Sequence, residues 1–368
     1  MKRAAWLVLA IALAAMRPAA AQDYVREELR IPMAAAGPRG LEALLIRPAG
    51  NGPYPLALIS HGAPRDGTTR ATMSASRLYR QAVEFARRGF AALIVMRRGY
   101  ATSGGEYAEN SGPCANRDYL RTAGTSAADL RAAVAAMKKR SDVATDGFIA
   151  IGVSAGGFAS VALAADPPPG LAAVISFAGG RGSRADDDVC DEGALVRAFA
   201  ALGKTSRVPE LWVYAQNDKF FGPALARRMH AAFTAAGGRA QFIDAASFGD
   251  DGHSLFSGGI AIWAPVVDEF LRAQNLGRRD LLPPPKLASL SPPSRLSEKG
   301  RAGFAEYLAA GSHKAFAVSP KGSWAFRTGL RSADEAQQKA LEACRKYAPD
   351  CAVYAVDDAL AATADATR

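Results

Sequence analysis

Residues 147–157 read GFIAIGVSAGG, the most informative segment of the chain for its fold. Its first half is an apolar strand, and the small residues of 155–165 that follow favour a helix. A serine in a sharp strand-to-helix turn has a strained backbone and tolerates only small residues two positions away on each side. Gly152 and Gly156 meet that requirement around Ser154. The pattern therefore predicts a hydroxyl raised above the end of a sheet, in front of the free N–H groups of a helix start.

A base and an acid are needed beside such a hydroxyl, because serine at its ordinary pKa is a weak nucleophile. Asp218 follows a predicted strand at its carboxyl end, and His253 stands in a glycine-containing loop after the last strand. The chain order Ser154, Asp218, His253 is compatible with contact, since the strand ends of a parallel sheet meet at one edge. Asp250 and Asp251 are the alternative carboxylates.

Strands and helices alternate between about residues 40 and 275. The predicted strands lack strict alternation and are rich in β-branched residues or leucine: 43–47, 56–60, 91–95, 148–153, 172–177, 211–215 and 241–244. The predicted helices are 76–88, 126–140, 155–165, 223–236 and 264–274, with Ser126 as the cap of its helix. Such alternation predicts a mostly parallel sheet covered by helices on both faces.

Four short motifs together resemble the α/β hydrolases, and within them the dienelactone hydrolase and prolyl-oligopeptidase-like branch. They are Ser60-His61-Gly62, the G-x-S-x-G motif, Asn217-Asp218 and Asp251-Gly252-His253. The resemblance covers about residues 40–275. It implies an α/β-hydrolase fold with Ser154 as nucleophile, Asp218 as acid and His253 as base, and no cofactor or metal.

The transition state also needs hydrogen-bond donors for its oxyanion. The backbone N–H of Ala155, just behind the nucleophile, is one candidate. The resemblance makes His61-Gly62 the family's oxyanion turn, which implies Ala63 as the second donor. A purely structural turn is the alternative for His61-Gly62.

A fifth, weaker resemblance to the family lies at residues 97–105 and the preceding Met96, where relatives carry D-x-R-G-x-G-x-S. Here Met96 stands in place of the aspartate and Ala101 in place of the second glycine. Arg97 and Arg98 are interpreted as scaffold residues, with recognition of an acidic substrate as the alternative.

The bond that is cleaved stays open between ester and peptide. Dienelactone hydrolases proper use a cysteine nucleophile, so a serine favours esterase or peptidase chemistry. The primary hypothesis is an exported serine hydrolase that cleaves an ester or related acyl bond through an acyl-enzyme. The alternatives are a serine peptidase of the prolyl-oligopeptidase-like type and a non-catalytic envelope-binding protein on a hydrolase scaffold. The expected substrate is a small acyl ester or a short peptide.

The N-terminus has the features of a secretory signal peptide over residues 1–21: a short basic region, a short apolar run and an A-x-A site. No other segment is long and apolar enough to span a membrane. The formal net charge of +10 is scattered rather than clustered, which with export argues against nucleic-acid binding. We expect a periplasmic or secreted protein.

The four cysteines allow three disulfide pairings in an exported chain. Cys344 and Cys351 lie close together in one C-terminal unit, which leaves Cys114 with Cys190. A zinc site is the alternative, although no C-x-x-C pair is present.

The sequence predicts a chain of four parts. A signal peptide (1–21) precedes a hydrolase domain (22–276), a proline- and serine-rich linker (277–300) and a small disulfide-containing α+β module (301–368). The module is a candidate site for an envelope partner. Within the hydrolase domain, residues 179–207 interrupt the strand–helix rhythm and are interpreted either as a short cap over the active site or as a surface loop.

Overall fold

The computed structural model of the protein describes residues 23–277 and 281–361, so the predicted signal peptide lies outside the described residues. An eight-stranded sheet forms its centre, in the order β1-β2-β4-β3-β5-β6-β9-β10. β1 pairs antiparallel with β2, β2 pairs antiparallel with β4, and all the other pairs are parallel. The strands are β1 (Tyr24–Ile31), β2 (Leu41–Pro48), β3 (Tyr54–Ser60), β4 (Ala91–Val95), β5 (Val143–Val153), β6 (Leu171–Phe177), β9 (Glu210–Ala215) and β10 (Ala240–Ala245). A separate two-stranded sheet is formed by β7 (Ser183–Ala185) and β8 (Asp188–Val189).

Helices cover both faces of the sheet, as the alternating sequence pattern predicts. The central strands are apolar on both faces, and every residue of β4 is buried. One core packs four helices against the sheet: α2 (Tyr119–Met137), α3 (Ala155–Ala165), α4 (Glu192–Gly203) and α5 (Pro223–Ala235). The other core holds α1 (Tyr79–Arg87), α6 (Leu255–Gly258) and α7 (Ile260–Ala273). The structure thus has the predicted α/β-hydrolase architecture.

The start of α2 differs from the sequence prediction. The helix begins at Tyr119, and the carboxylate of Asp118 caps it by accepting from the backbone N–H of Arg121 at 2.9 Å. Ser126, the predicted cap, lies inside the helix, and its hydroxyl donates to Glu109. The prediction was wrong because a cap-type residue was taken without its tertiary partner, a buried glutamate 17 positions upstream.

A small antiparallel sheet with two helices forms the C-terminal module. Its strand order is β12-β11-β13-β14, and the Cys344–Cys351 disulfide joins the end of its second helix to the start of β13. The elements are α8 (Glu298–Ala309), β11 (Ala315–Val318), β12 (Trp324–Arg327), α9 (Ala333–Arg345), β13 (Ala352–Val356) and β14 (Ala359–Leu360). α8 was not predicted and begins within the last residues of the predicted linker.

The module packs against the hydrolase domain close to the segment 71–77. The Ser74 hydroxyl donates to the carbonyl of Leu330 at 3.3 Å, and an added Cβ at Gly329 would lie 2.9 Å from the Cα of Arg77. The ring of His313 contacts Glu28 on β1 at 2.9 Å. The module therefore supports one edge of the hydrolase domain.

Within the described ranges, no single helix has both the length and the apolarity of a membrane span. The two helices at 252–258 and 260–273, bent by 79° at the break between them, meet those criteria only when taken together.

Candidate active site

Ser154 lies in the predicted sharp turn between β5 and α3. Its φ of 56° and ψ of −124° are a strained backbone conformation for a residue with a side chain. An added Cβ at Gly152 would lie 2.1 Å from the carbonyl oxygen of Gly156, and one at Gly156 would lie 2.1 Å from that of Ser60. Both glycines are therefore needed for the turn to close, which is the steric reason for the G-x-S-x-G pattern.

His61 fixes the turn that faces this serine. Its Nε2 accepts from the backbone N–H of Arg97 at 3.1 Å, so Nδ1 carries the proton and donates to the carbonyl of Gly62 at 2.6 Å. Burial, and then the charge of Arg97, hold the pKa of His61 well below its ordinary value, so the ring is neutral. Since the C=O and N–H of a trans peptide point in opposite directions, this bond orients the N–H of Ala63 away from the ring.

The two candidate oxyanion donors lie beside the serine. An added Cβ at Gly62 would lie 3.2 Å from the Cβ of Ser154, so the turn touches the nucleophile. Ala155 is the first residue of α3, where backbone N–H groups have no acceptor within the helix. Ala63, Ser154 and Ala155 all line one cavity of about 310 Å³.

Asp218 and His253 form the second part of the site. The carboxylate Oδ2 of Asp218 lies 3.0 Å from Nδ1 of His253. Its Oδ1 accepts from the backbone N–H groups of Phe220 and Phe221, each at 2.8 Å, so the buried carboxylate is held in place. Asp251, an alternative acid in the sequence, instead caps the short 3-10 helix that carries His253.

The ring of His253 is stacked on Phe220, with centroids 3.8 Å apart and planes inclined by 10°. The guanidinium of Arg65 lies 3.5 Å from the centroid of the same phenyl ring. Ser154 and His253 line a second cavity of about 410 Å³, which is flanked by apolar side chains that include Met73 and Leu78. Among the described residues, 23–277 and 281–361, no hydrogen bond joins the side chains of Ser154 and His253. In many serine hydrolases the bond between nucleophile and base becomes short and well aligned only when substrate binds.

Residues 179–207 contribute directly to the site. Residues 180–184 line the 310 Å³ cavity. Arg65 holds the segment in position by donating to the Ser183 hydroxyl at 3.0 Å and to the Asp186 carboxylate at 2.9 Å. The Cys114–Cys190 disulfide forms as predicted and links the segment to the loop that provides the opposite wall. The segment thus lines the cavity, and its interpretation as a cap over the active site stays a prediction.

A buried charge cluster supports the cavity from below and was missed in the sequence. Glu109 accepts from Arg97 Nε at 2.5 Å, Ser126 Oγ at 2.6 Å, Arg181 Nη2 at 2.7 Å and Tyr100 OH at 2.8 Å. Burial alone would raise the pKa of Glu109, but the charges of Arg181 and Arg97 bring it well below its ordinary value. No local pattern marks Glu109, because its partners come from three distant segments.

Arg97 and Arg98 both have scaffold roles, in agreement with the main interpretation. Arg97 is fully buried, and Arg98 donates from Nε to Asp129 at 2.7 Å. Ala101, which stands in place of the family's glycine, keeps the left-handed backbone with φ 52°. The loop thus retains a glycine-like conformation despite the substitution.

The sheet topology, the serine turn and the adjacent acid and imidazole define a hydrolase of the α/β-hydrolase class. The model of the X-Pro dipeptidyl-peptidase (S15) family matches residues 38–238, more than half of the chain. The protein therefore belongs to that family. A comparison with curated proteins finds no match.

Solved structures of hydrolases are similar to this chain at low sequence identity. Acylaminoacyl peptidase from Pyrococcus horikoshii is 13% identical over 68% of this chain and 42% of that chain, with a TM-score of 0.49. A cold-adapted esterase from an Arctic intertidal metagenomic library is 15% identical over 68% and 93%, with a TM-score of 0.46. A puromycin-hydrolysing peptidase from Mycobacterium tuberculosis is 15% identical over 74% and 44%, with a TM-score of 0.46. The chain thus spans less than half the length of the two peptidases.

Proposed function

We propose that this protein is an exported serine hydrolase that cleaves an ester or related acyl bond through an acyl-enzyme. Ser154 is the nucleophile, His253 the base and Asp218 the residue that orients the imidazole. The backbone N–H groups of Ala155 and Ala63 stabilise the oxyanion.

The reaction proceeds in two steps, acylation of Ser154 and hydrolysis of the acyl-enzyme. The Oγ of Ser154 bonds to the acyl carbon while its proton moves to His253, and the bond to the leaving oxygen then breaks as His253 protonates that oxygen. Water attacks the acyl-enzyme in the same way and releases the acid and the free serine. No electron donor or acceptor is required.

The observation that carries this proposal is the strained Ser154 turn, which lines one cavity together with His253, whose imidazole contacts the buried carboxylate of Asp218. Strain at a non-glycine residue persists only where the surrounding structure enforces it, and it is concentrated at functional sites. A non-catalytic envelope-binding protein has no need for that strain.

An ester is favoured over an amino-terminal dipeptide by the charge of the cavity beside Ser154. Arg70 and Arg117 line it, and among the described residues neither side chain forms an ion pair within 4.0 Å. A peptide substrate cleaved near its N-terminus carries a free α-amino group, and most of these groups are protonated at neutral pH. Placing it beside these guanidinium groups is unfavourable, so peptide cleavage stays the second candidate.

The two disulfides are consistent with an oxidising compartment and support a periplasmic or secreted location. The C-terminal module is proposed as a docking unit for an envelope partner. The sequence of the module suggests no nucleophile–base pair of its own.

The decisive test is Ser154→Ala assayed on p-nitrophenyl acyl esters and by labelling with a fluorophosphonate probe. We expect turnover to fall at least about a thousandfold and labelling to disappear, since the nucleophile is lost. Ser257→Ala is the matched control, because it removes an exposed hydroxyl from the same 410 Å³ cavity. Undiminished turnover in the Ser154 variant rules out the proposal, and an unlabelled wild-type protein supports the binding-only alternative.

A further inference from the structure

The 310 Å³ cavity beside Ser154 is strongly cationic. Its lining contains a single carboxylate, that of Glu109, and five arginines: Arg65, Arg70, Arg117, Arg181 and Arg184. The balance of these charges decides what the cavity can hold.

Two of the five arginines pair with carboxylates of the segment 179–207. Arg65 pairs with Asp186 at 2.9 Å, and Arg184 pairs with Asp188 at 2.8 Å. The first contact holds the segment in place, with Asp186 also paired to Lys219 at 3.6 Å, and the second contact lies within the segment. The charges of these two arginines are therefore already engaged by carboxylates.

Glu109 does not neutralise the floor of the cavity. Its one carboxylate is shared between Arg181 and Arg97, both of which are buried. Arg181 is 6% exposed, and its Nε is buried with no hydrogen-bond partner. One carboxylate balances only one of the two guanidinium groups, so one positive charge at this floor stays uncompensated. This is unusual, because buried guanidinium groups are normally paired.

Arg70 and Arg117 add two further positive charges at the walls, of which that of Arg70 also acts on the exposed carboxylate of Asp66. The guanidinium of Arg70 lies 3.9 Å from the centroid of the Tyr107 ring. Arg117 donates to the carbonyl of Gly112 and, at 3.3 Å, to the sulfur of Cys190, while its Nε is buried without a partner. Within the described part of the chain, neither side chain takes part in an ion pair.

We propose that this cavity binds the acyl part of the substrate through an anionic oxygen group, such as a carboxylate, and that Arg70 and Arg117 recognise it. The inference rests on the proposed function. Guanidinium groups match the planar geometry of carboxylate oxygens and remain charged at all relevant pH values. An anionic group in the cavity lowers this surplus of positive charge.

The position of His253 assigns the two cavities to the two halves of the substrate. His253 protonates the leaving oxygen, so the leaving group lies on its side of Ser154. His253 lines the 410 Å³ cavity and not the 310 Å³ cavity, whereas Ala155 lines only the latter. The 410 Å³ cavity has two arginines, Arg65 and Arg77, beside its apolar side chains. The substrate is therefore an anionic acyl group joined to a less polar alcohol.

The test compares two esters that differ in charge but have acyl chains of equal length: mono-p-nitrophenyl glutarate and p-nitrophenyl valerate. We expect wild-type kcat/KM to favour the glutarate ester and that preference to weaken as salt is added, because salt screens the attraction. Arg70→Gln should lower kcat/KM on the glutarate ester by roughly 10- to 100-fold and change it on the valerate ester less than about threefold. Arg70→Lys should recover part of the loss.

Arg197→Gln is the matched control, because it removes the same charge from the exposed face of helix α4. It should leave the preference unchanged. Equal turnover of both esters by the wild type, with no selective effect of Arg70→Gln, overturns the inference. In that case a Ser154→Ala variant that is inactive on valerate still upholds the proposed function, so the two failures are distinguishable.

Discussion

Replacing Glu109 by glutamine tests whether the buried cluster holds the site together. The carboxylate contacts the guanidinium groups of Arg97 and Arg181, and all three side chains are at least about nine-tenths buried. At an effective dielectric constant of 20, each such attraction is about 4 kcal/mol, or about 8 kcal/mol for the two. The desolvation of the carboxylate, several kcal/mol, is no longer required in the variant. The net loss of unfolding free energy is therefore about 3–5 kcal/mol, as is typical when one partner of a buried pair is removed.

Urea denaturation at pH 7 with the disulfides intact measures this loss. Glu106→Gln is the matched control, since it makes the same change at an exposed position in the same loop. The pH dependence gives a second readout. The folded pKa of Glu109 lies below its ordinary value of 4.5, so its contribution is complete above pH 4.5 and is lost as the pH falls below it. Glu109→Gln should lack that acid-sensitive part. A Glu109 variant within 1 kcal/mol of the Glu106 variant, a margin smaller than the predicted loss, refutes the reasoning.

Two further predictions concern pH and the disulfides. Burial raises the pKa of Glu210 to about 8, above its ordinary 4.5, so the folded state binds the extra proton. Wild-type stability relative to Glu210→Gln should therefore fall by about 1.4 kcal/mol per pH unit from pH 5 to pH 8, and parallel urea profiles would contradict this. Removing the Cys114–Cys190 disulfide by a double serine variant should cost about 4.5 kcal/mol, because it closes a loop of 76 residues. The same change at Cys344–Cys351, 7 residues apart, should cost about 2.4 kcal/mol, and an equal loss in both would argue against chain entropy as the cause.

Local sequence rules were sufficient for the central strands and the serine turn. β4 and α3 have the predicted bounds. Their residues are apolar or small, so no polar side chain competes with the backbone for hydrogen bonds and shifts the ends of the element. β1 was not predicted, since its sequence YVREELRI is charged along an edge strand and lacks a continuous apolar run. α8 was also missed, because its mean hydropathy is close to neutral and its packing depends on the aromatic core of the module.

A serine turn, an aspartate and a histidine at three strand ends are readable from the sequence, because the steric demands of the turn and the strand pattern are local properties. The charge of the 310 Å³ cavity, in contrast, follows from the tertiary structure alone. Arg70, Arg117 and Arg181 are more than 100 positions apart at the extremes, and none carries a local signal. They line one cavity because the fold brings their segments together, and the carboxylates that pair with each arginine depend on distances that the sequence does not specify.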